Sequence, residues 1–288
     1  MNKAIIIDGN SLFYRAYFAT KDNYDYAISK DLVPNNGIVT IFRMFKKIFD
    51  KDLYKYCLIA FDHGEKTFRH ESDVNYKSNR NATPDDLIKQ MLSMKEIFEG
   101  MGFKTLSKEN FEADDLIGSA CKLFNNNNID VEVYSSDKDM LQLVNEKTNV
   151  NLLKRGVSDI LQYNNDNFQE QFFNLKPEQI VEFKGLVGDS SDSLKGVAGI
   201  GEKTGVKLLN QYQNIDNIYT QIDTLEVSLN IKNKLLSGKD EAFRCREMSR
   251  IVLNLFEHEN IVSFIIKDED LKSIISIIEE YRIHYLFN

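Results

Sequence analysis

Along the first half of the chain, short apolar and β-branched runs alternate with stretches whose apolar positions recur every three or four residues. "AIIID" (Ala4 to Asp8), "CLIAFD" (Cys57 to Asp62) and "VEVYSSD" (Val131 to Asp137) read as buried strands. Between Pro84 and Gly100, Leu87, Met91, Met94 and Phe98 recur at helical spacing, with Thr83 expected as N-cap and Pro84 as the first helical residue. Strands alternating with helices predict a largely parallel sheet covered on both faces. "NNNN" (Asn125 to Asn128) reads as a polar connector. From about Gln171 onward the strand pattern fades and helices dominate. "RIVLNL" (Arg250 to Leu255) is expected to return as a strand, and Glu269 to Tyr281 to form a closing helix.

With 288 residues, 42% hydrophobic and 28% charged, the chain is long enough for one large domain or two modest ones. No apolar run approaches a membrane span, and "MNKAIIIDGN" is a strand pattern rather than a leader. Cys57, Cys121 and Cys245 are scattered, as befits reduced thiols, and the expectation is a cytoplasmic protein without membrane contact. A net charge of −8, from 36 basic and 44 acidic residues, taken alone argues against a polyanionic partner. That argument lapses if the acids gather in one place and hold cations.

They do gather. Each candidate strand ends in an aspartate, Asp8, Asp62 or Asp137, with Asp139 two residues on. Ligands collect at the carboxyl ends of parallel strands. "FEADDLIGSA" adds Glu112, Asp114 and Asp115 at the start of a predicted helix, and Asp189 and Asp192 make nine. At ~4 Å and an effective dielectric of about 20, each like-charge pair costs roughly 4 kcal/mol, so such a cluster protonates or binds hard cations. All-oxygen ligands favour Mg²⁺ or Mn²⁺ over zinc, and two such ions suit phosphodiester hydrolysis. A calcium-loop reading of "DKD" fails, because Leu141 stands where an oxygen ligand belongs.

Beyond Asp192 lies "GVAGIGEKT". Gly196 and Gly201 have the separation of a nucleotide-binding P-loop, but Glu202 occupies the lysine position and no strand precedes it. The other functional reading is a helix–hairpin–helix turn, where Gly199 and Gly201 bring amides to a DNA phosphate and Lys203 and Lys207 add charge. A plain turn between packed helices is the bland alternative.

"IIIDGNSLFYRAYFA", "FDHGEKTFRHESDVNYKSNR", "FEADDLIGSA", "YSSDKDMLQLV" and "GLVGDSSDSLKGVAGIGEKTGVKLL" stand in the order found in bacterial 5′→3′ exonucleases. From about Asn2 onward the chain resembles that family, which includes the 5′-nuclease domain of DNA polymerase I and the flap endonucleases. The resemblance implies a PIN-like α/β core with a helical arch over residues 1–172, the arch at about 64–90. A C-terminal helical DNA-binding domain would follow over 173–288, its hairpin turn at about 194–210. It implies that all nine acids serve metal binding: Asp62, Glu112 and Asp114 mainly at one ion, Asp139, Asp189 and Asp192 mainly at the other. Asp137 would lie between them, with Asp8 and Asp115 acting through water. Lys77, Arg80 and Arg15 match phosphate-contacting positions, while Lys66 and Arg69, the arch's other basic residues, are expected to contact DNA. Tyr14 and Tyr76 are candidates for stacking on bases, with packing as the alternative, and His63 and His70 are not assigned to metal.

The implied cofactors are two or more Mg²⁺ ions, replaceable by Mn²⁺, with K⁺ at the hairpin turn. The implied substrates are DNA with a 5′ flap, nick or single-stranded 5′ end and RNA–DNA primer junctions, handled by a monomer. A non-catalytic junction binder and a PIN-type ribonuclease are the competing readings. Two positions depart from the family: "SLK" (Ser193 to Lys195) replaces its Asn–hydrophobic–Pro, and Gly205 is expected to soften the helix after the hairpin.

Overall fold

The computed structural model describes residues 2–29, 34–155 and 159–267. Strand β1 (Lys3–Asp8) leads into helices α1 (Gly9–Ala19), α2 (Lys21–Ser29) and α3 (Asn36–Phe49), then β2 (Tyr56–Ala60). There follow α4 (Phe68–Ser72), α5 (Asp85–Gly100), β3 (Thr105–Leu106), α6 (Ala113–Asn126), β4 (Asp130–Ser135), β5 (Thr148–Arg155) and β6 (Asp159–Tyr163). The strands lie in the order β3-β2-β1-β4-β5-β6, parallel except for the antiparallel β5–β6 pair. From central β1 the chain builds to one side through β2 and later to the other through β4. The carboxyl ends of β1 and β4 therefore flank a switch-point crevice.

Both faces of the sheet are covered, which is why β1 reads as an unbroken apolar run. Ala4 and Ile6 pack on the side of α6, while Ile5 and Ile7 face α1, α3 and α5. Each fully buried isoleucine contributes about 1.5–3 kcal/mol relative to exposure. The segment between β2 and α5 holds α4 and a run of turns.

Helix α7 (Phe168–Gln171) still belongs to the sheet unit, with Phe168 in its core. The second unit is helical: α8 (Gln179–Val187), α9 (Glu202–Tyr212), α10 (Ile215–Thr220), α11 (Leu229–Ser237) and α12 (Lys239–Ser249). Leu186, Val197, Ile200, Leu208, Leu209, Ile215 and Leu235 form its core. Between α8 and α9 the backbone crosses itself at Gly188 and Gly196, both at positive φ, and a Cβ on Gly196 would overlap the Gly188 amide. A Cβ on Gly205 would lie 2.6 Å from Val187 Cγ2. The glycine expected to soften α9 instead lets α9 approach α8 closely.

Other expectations need correction. Helix α5 begins at Asp85 with Pro84 as N-cap, and the Thr83 hydroxyl is taken by Tyr14. Asn125 and Asn126 belong to the last turn of α6 rather than to a connector. β3, β5 and β6 were not anticipated. Arg250 to Leu255 forms no strand; it is an extended strap fastened by side chains of the first unit. Ser119 Oγ donates to the Val252 carbonyl at 3.0 Å and accepts from Leu255 N at 3.1 Å. Gln142 brackets the strap, donating to Ser249 O and accepting from Ile251 N, both at 3.0 Å. Farther on, Ile266 N reaches Lys55 O at 2.9 Å. Glu269 to Tyr281 lie outside the described residues. Among the described residues, no helix is long and apolar enough to cross a membrane.

Candidate metal centre

The strand-end acids are held by the turns they begin. Asp8 caps α1, accepting from Ser11 N at 2.9 Å, and takes a second bond from Ser135 Oγ at 2.5 Å. Asp62 accepts from Ala113 N at 2.8 Å and Asn10 Nδ2 at 3.1 Å. Asp137 accepts from Asp139 N at 2.9 Å and caps the 3₁₀ turn Lys138–Leu143, which carries Asp139 inward. Burial pushes the Asp8 carboxyl up to about 7 against its two hydrogen bonds, and Asp137 and Asp62 add to the rise. Burial, then the charges of Asp137 and Asp8, hold Asp114 well above the ordinary carboxylate range. Among the described residues Asp8, Asp114 and Asp137 form no ion pair.

A second group draws on both units. One oxygen each of Asp139, Asp189 and Asp192 lie within 4.8 Å of one another. A two-way backbone bridge between Asp189 and Leu194, 2.8 Å each way, closes the loop that presents the latter two. Asp189 also caps the 3₁₀ turn Ser190–Asp192 through Ser191 N at 2.8 Å. Lys184 of α8, unforeseen in the sequence, enters this group, contacting Asp139 and lying 2.5 Å from Asp189. Burial pushes Asp139 up to about 7 although Lys184 opposes it. Burial also works on the less enclosed Asp189, but there Lys184 prevails and holds the carboxyl at about 2. The donors are all carboxylate oxygens, three acids against the two cations Lys184 and Arg80, a set that suits hard divalent cations.

Basic residues lie across this edge. Lys77 pairs with Glu112 at 2.7 Å and Arg80 with Asp192 at 2.8 Å. The turn carrying them is fastened to the acidic loop, Lys77 N to Asp192 O at 3.1 Å and Asn79 Nδ2 to Ser190 O at 2.6 Å. Lys77 has φ +54, a left-handed conformation whose strain is of the kind found at functional sites. Arg15 donates to the Lys154 carbonyl, and its buried Nε has no hydrogen-bond partner among the described residues. Lys66 is exposed and Tyr14 half-buried.

Three expected site residues are built into the scaffold instead. Arg69, read as a DNA contact, is 2% exposed. Its guanidinium reaches Asp115 at 2.7 and 2.8 Å, Glu112 at 3.3 Å, and the carbonyls of Met248 and Arg250 at 2.9 and 2.8 Å. Asp115, read as a metal-site acid, is fully buried, its oxygens taken by Arg69 and by Val252 N at 2.9 Å. Tyr76, read as a base-stacking candidate, is buried and donates its hydroxyl to Glu112 at 3.1 Å. Its ring is packed among Leu194, Cys245 and Met248, with the Lys77 ammonium over it, so base stacking would require opening that packing. Lys184 and Glu182 were missed, although two charges inside the apolar "IVEFKGLV" were a signal that both are partnered.

In the hairpin, Gly199 takes φ +78, and Gly201 is the N-cap of α9. Lys203, Thr204 and Lys207 line a groove of about 520 Å³, faced by Glu226, Ser228 and Ile231. Lys234 Nζ donates to the Gly199 carbonyl at 3.1 Å.

A sheet whose carboxyl-end crevice gathers acids, with basic residues over it and a glycine hairpin beyond, defines an α/β nuclease of the acidic-site class. Residues 3–173 match the 5′-3′ exonuclease N-terminal resolvase-like domain and residues 175–272 its C-terminal SAM fold. The chain belongs to the 5′-3′ exonuclease family and is a 5′ nuclease. It is 42% identical over 287 residues to a 5′-3′ exonuclease of Mycoplasma pneumoniae, covering 99% of this chain and 98% of that one. Against DNA polymerase I of Bacillus subtilis it is 37% identical over 252 residues, 87% of this chain but 28% of the polymerase. The bacteriophage T5 flap endonuclease, solved as a pseudo-enzyme-product complex with DNA and metal ions, shares the fold at 22% identity. Its TM-score is 0.65, with 96% of this chain and 99% of that one covered.

Proposed function

We propose that this chain is a divalent-metal-dependent, structure-specific 5′ nuclease that cuts DNA at 5′ flaps, nicks and single-stranded 5′ ends, and at RNA–DNA primer junctions. Mg²⁺ is the proposed physiological ion and Mn²⁺ its substitute. The observation that carries this reading is the convergence of Asp139, Asp189 and Asp192 within 4.8 Å, beside the mutually repelling Asp8, Asp114 and Asp137. Asp62 and Glu112 complete the proposed ligand set. Divalent cations held there would attract the phosphodiester and make a water more acidic.

The chain's own groups do the positioning. Lys77 and Arg80 now pair with Glu112 and Asp192. Cations on those acids would free both to donate to the non-bridging oxygens of the scissile phosphate, with the guanidinium of Arg15 as a further proposed phosphate contact. The hairpin amides, with Lys203 and Lys207, would hold the duplex backbone, so selection is by shape and strand ends. K⁺ at the hairpin is not part of this proposal, because the Lys234 ammonium already stands at the Gly199 carbonyl. We take residues 1–172 as the catalytic domain, 173–288 as the DNA-binding domain and about 64–90 as the arch a 5′ end passes. One chain supplies every named group, so a monomer, working in the cytoplasm, is sufficient.

The test is product length from a 5′-labelled DNA flap with Mg²⁺ and with the metal chelated. Metal-dependent release of a flap-length oligonucleotide is expected. Binding without cleavage would indicate a junction binder, and preferential cleavage of RNA flaps a ribonuclease.

A further inference from the structure

We infer that Lys184 is the built-in counter-cation of Asp139, Asp189 and Asp192, and that a divalent ion must displace it to load this trio; the inference rests on the metal reading above. Lys184 is 8% exposed and Asp139 and Asp192 are each 7% exposed, so all three sit largely out of water. The ammonium bridges the units, contacting Asp139 of the sheet unit and lying 2.5 Å from Asp189 of the helical unit. The remaining acid, Asp192, is met by Arg80 at 2.8 Å.

Lysine offers donors and no acceptor, so it cannot help ligate the ion that takes its place. A divalent ion on the same oxygens would stand a few ångströms from the ammonium, and the two repel. The two neighbouring cations differ in freedom. Arg80 is half open to solvent, whereas Lys184 is packed at the base of the loop, on the helix that leads into Asp189. Its four-carbon stem lets the ammonium swing out while α8 stays fixed.

Two consequences follow. The trio binds metal only in the fraction of molecules whose lysine has withdrawn, which weakens its apparent affinity. In metal-free protein, the lysine takes over the ion's part in drawing the acids of the two units together.

The experiment is a Mn²⁺ titration of the full chain, free ion being read by electron paramagnetic resonance, for wild type, Lys184→Met and Asp192→Asn. Metal-free melting is measured alongside. Lys184→Met is expected to tighten Mn²⁺ binding at the trio, identified as the ion lost in Asp192→Asn, by about tenfold or more. It should melt lower without metal and regain more than wild type on adding Mn²⁺. Unchanged or weaker Mn²⁺ binding in Lys184→Met, with one ion lost in Asp192→Asn, would overturn the exchange and leave the metal site standing. Equal ion counts in wild type and Asp192→Asn would overturn the metal reading itself. If Lys184→Met does not fold without metal, Lys184→Arg decides: its retained charge should load no more tightly than wild type, and tighter loading overturns the inference.

Discussion

Arg69 donates to two carboxylates and two carbonyls from a fully enclosed position. Arg69→Met would leave the buried Asp115 without its charged partner, while Glu112 keeps Lys77. The expected cost is about 3–5 kcal/mol, read as a lower urea midpoint. Ser193 presents the opposite case. It holds φ +61, and its buried hydroxyl has no hydrogen-bond partner among the described residues. Asparagine or glycine suits that left-handed position better than serine. Ser193→Gly is therefore expected to stabilise by roughly 0.5–1 kcal/mol, and a midpoint below wild type would refute the strain argument. The acids were legible in the sequence because so many carboxylates at strand ends demand one explanation. Arg69 and Tyr76 were not, since a basic or aromatic residue on a motif looks the same whether it points at DNA or inward. Only folding brings Met248 and Arg250 behind Arg69.

Among the elements, β1 and β2 were readable because both faces of each are apolar, and β4 because Val131 and Val133 alternate on its core face. β5 was hidden by its own chemistry: Asn151 is buried and donates to the buried Glu132 at 2.6 Å, interrupting the apolar pattern. "RIVLNL" misled for the converse reason, being apolar like a strand while α6 side chains occupy its backbone groups. The crossing at Gly188 and Gly196 is the most demanding local feature. Gly196→Ala combines left-handed strain with overlap against the Gly188 amide. A loss of roughly 2–4 kcal/mol is expected by thermal melting, and a wild-type melt would show the crossing to be more pliable than the geometry implies.

For the molecule as a whole, pH acts through carboxyls that burial has raised. Asp8 and Asp139 titrate near 7 when folded against an ordinary value of 3.8. Between those values the native state binds more protons than the unfolded chain, so metal-free stability falls as pH rises from about 4 to about 7. Burial lowers His70, which acts in the opposite sense below its ordinary 6.5, and Asp189, held at about 2, acts only below 3.8. Urea midpoints at pH of about 5 and about 7.5 should drop in chelator. The drop should shrink with Mg²⁺, which favours the ionised carboxylates; a midpoint that rises in chelator would contradict the raised values. The strap after α12 bears on a different question, that of modular exchange. It leaves the helical unit and closes over α6, with Ile251 and Leu253 against Gly118 and Val252 N on Asp115. The two units are thus not cassettes cut at a single junction. A chimera that grafts a relative's helices onto this sheet has to keep the host's own residues 250–267, spliced back after the foreign α12, or the sheet unit goes without part of its cover.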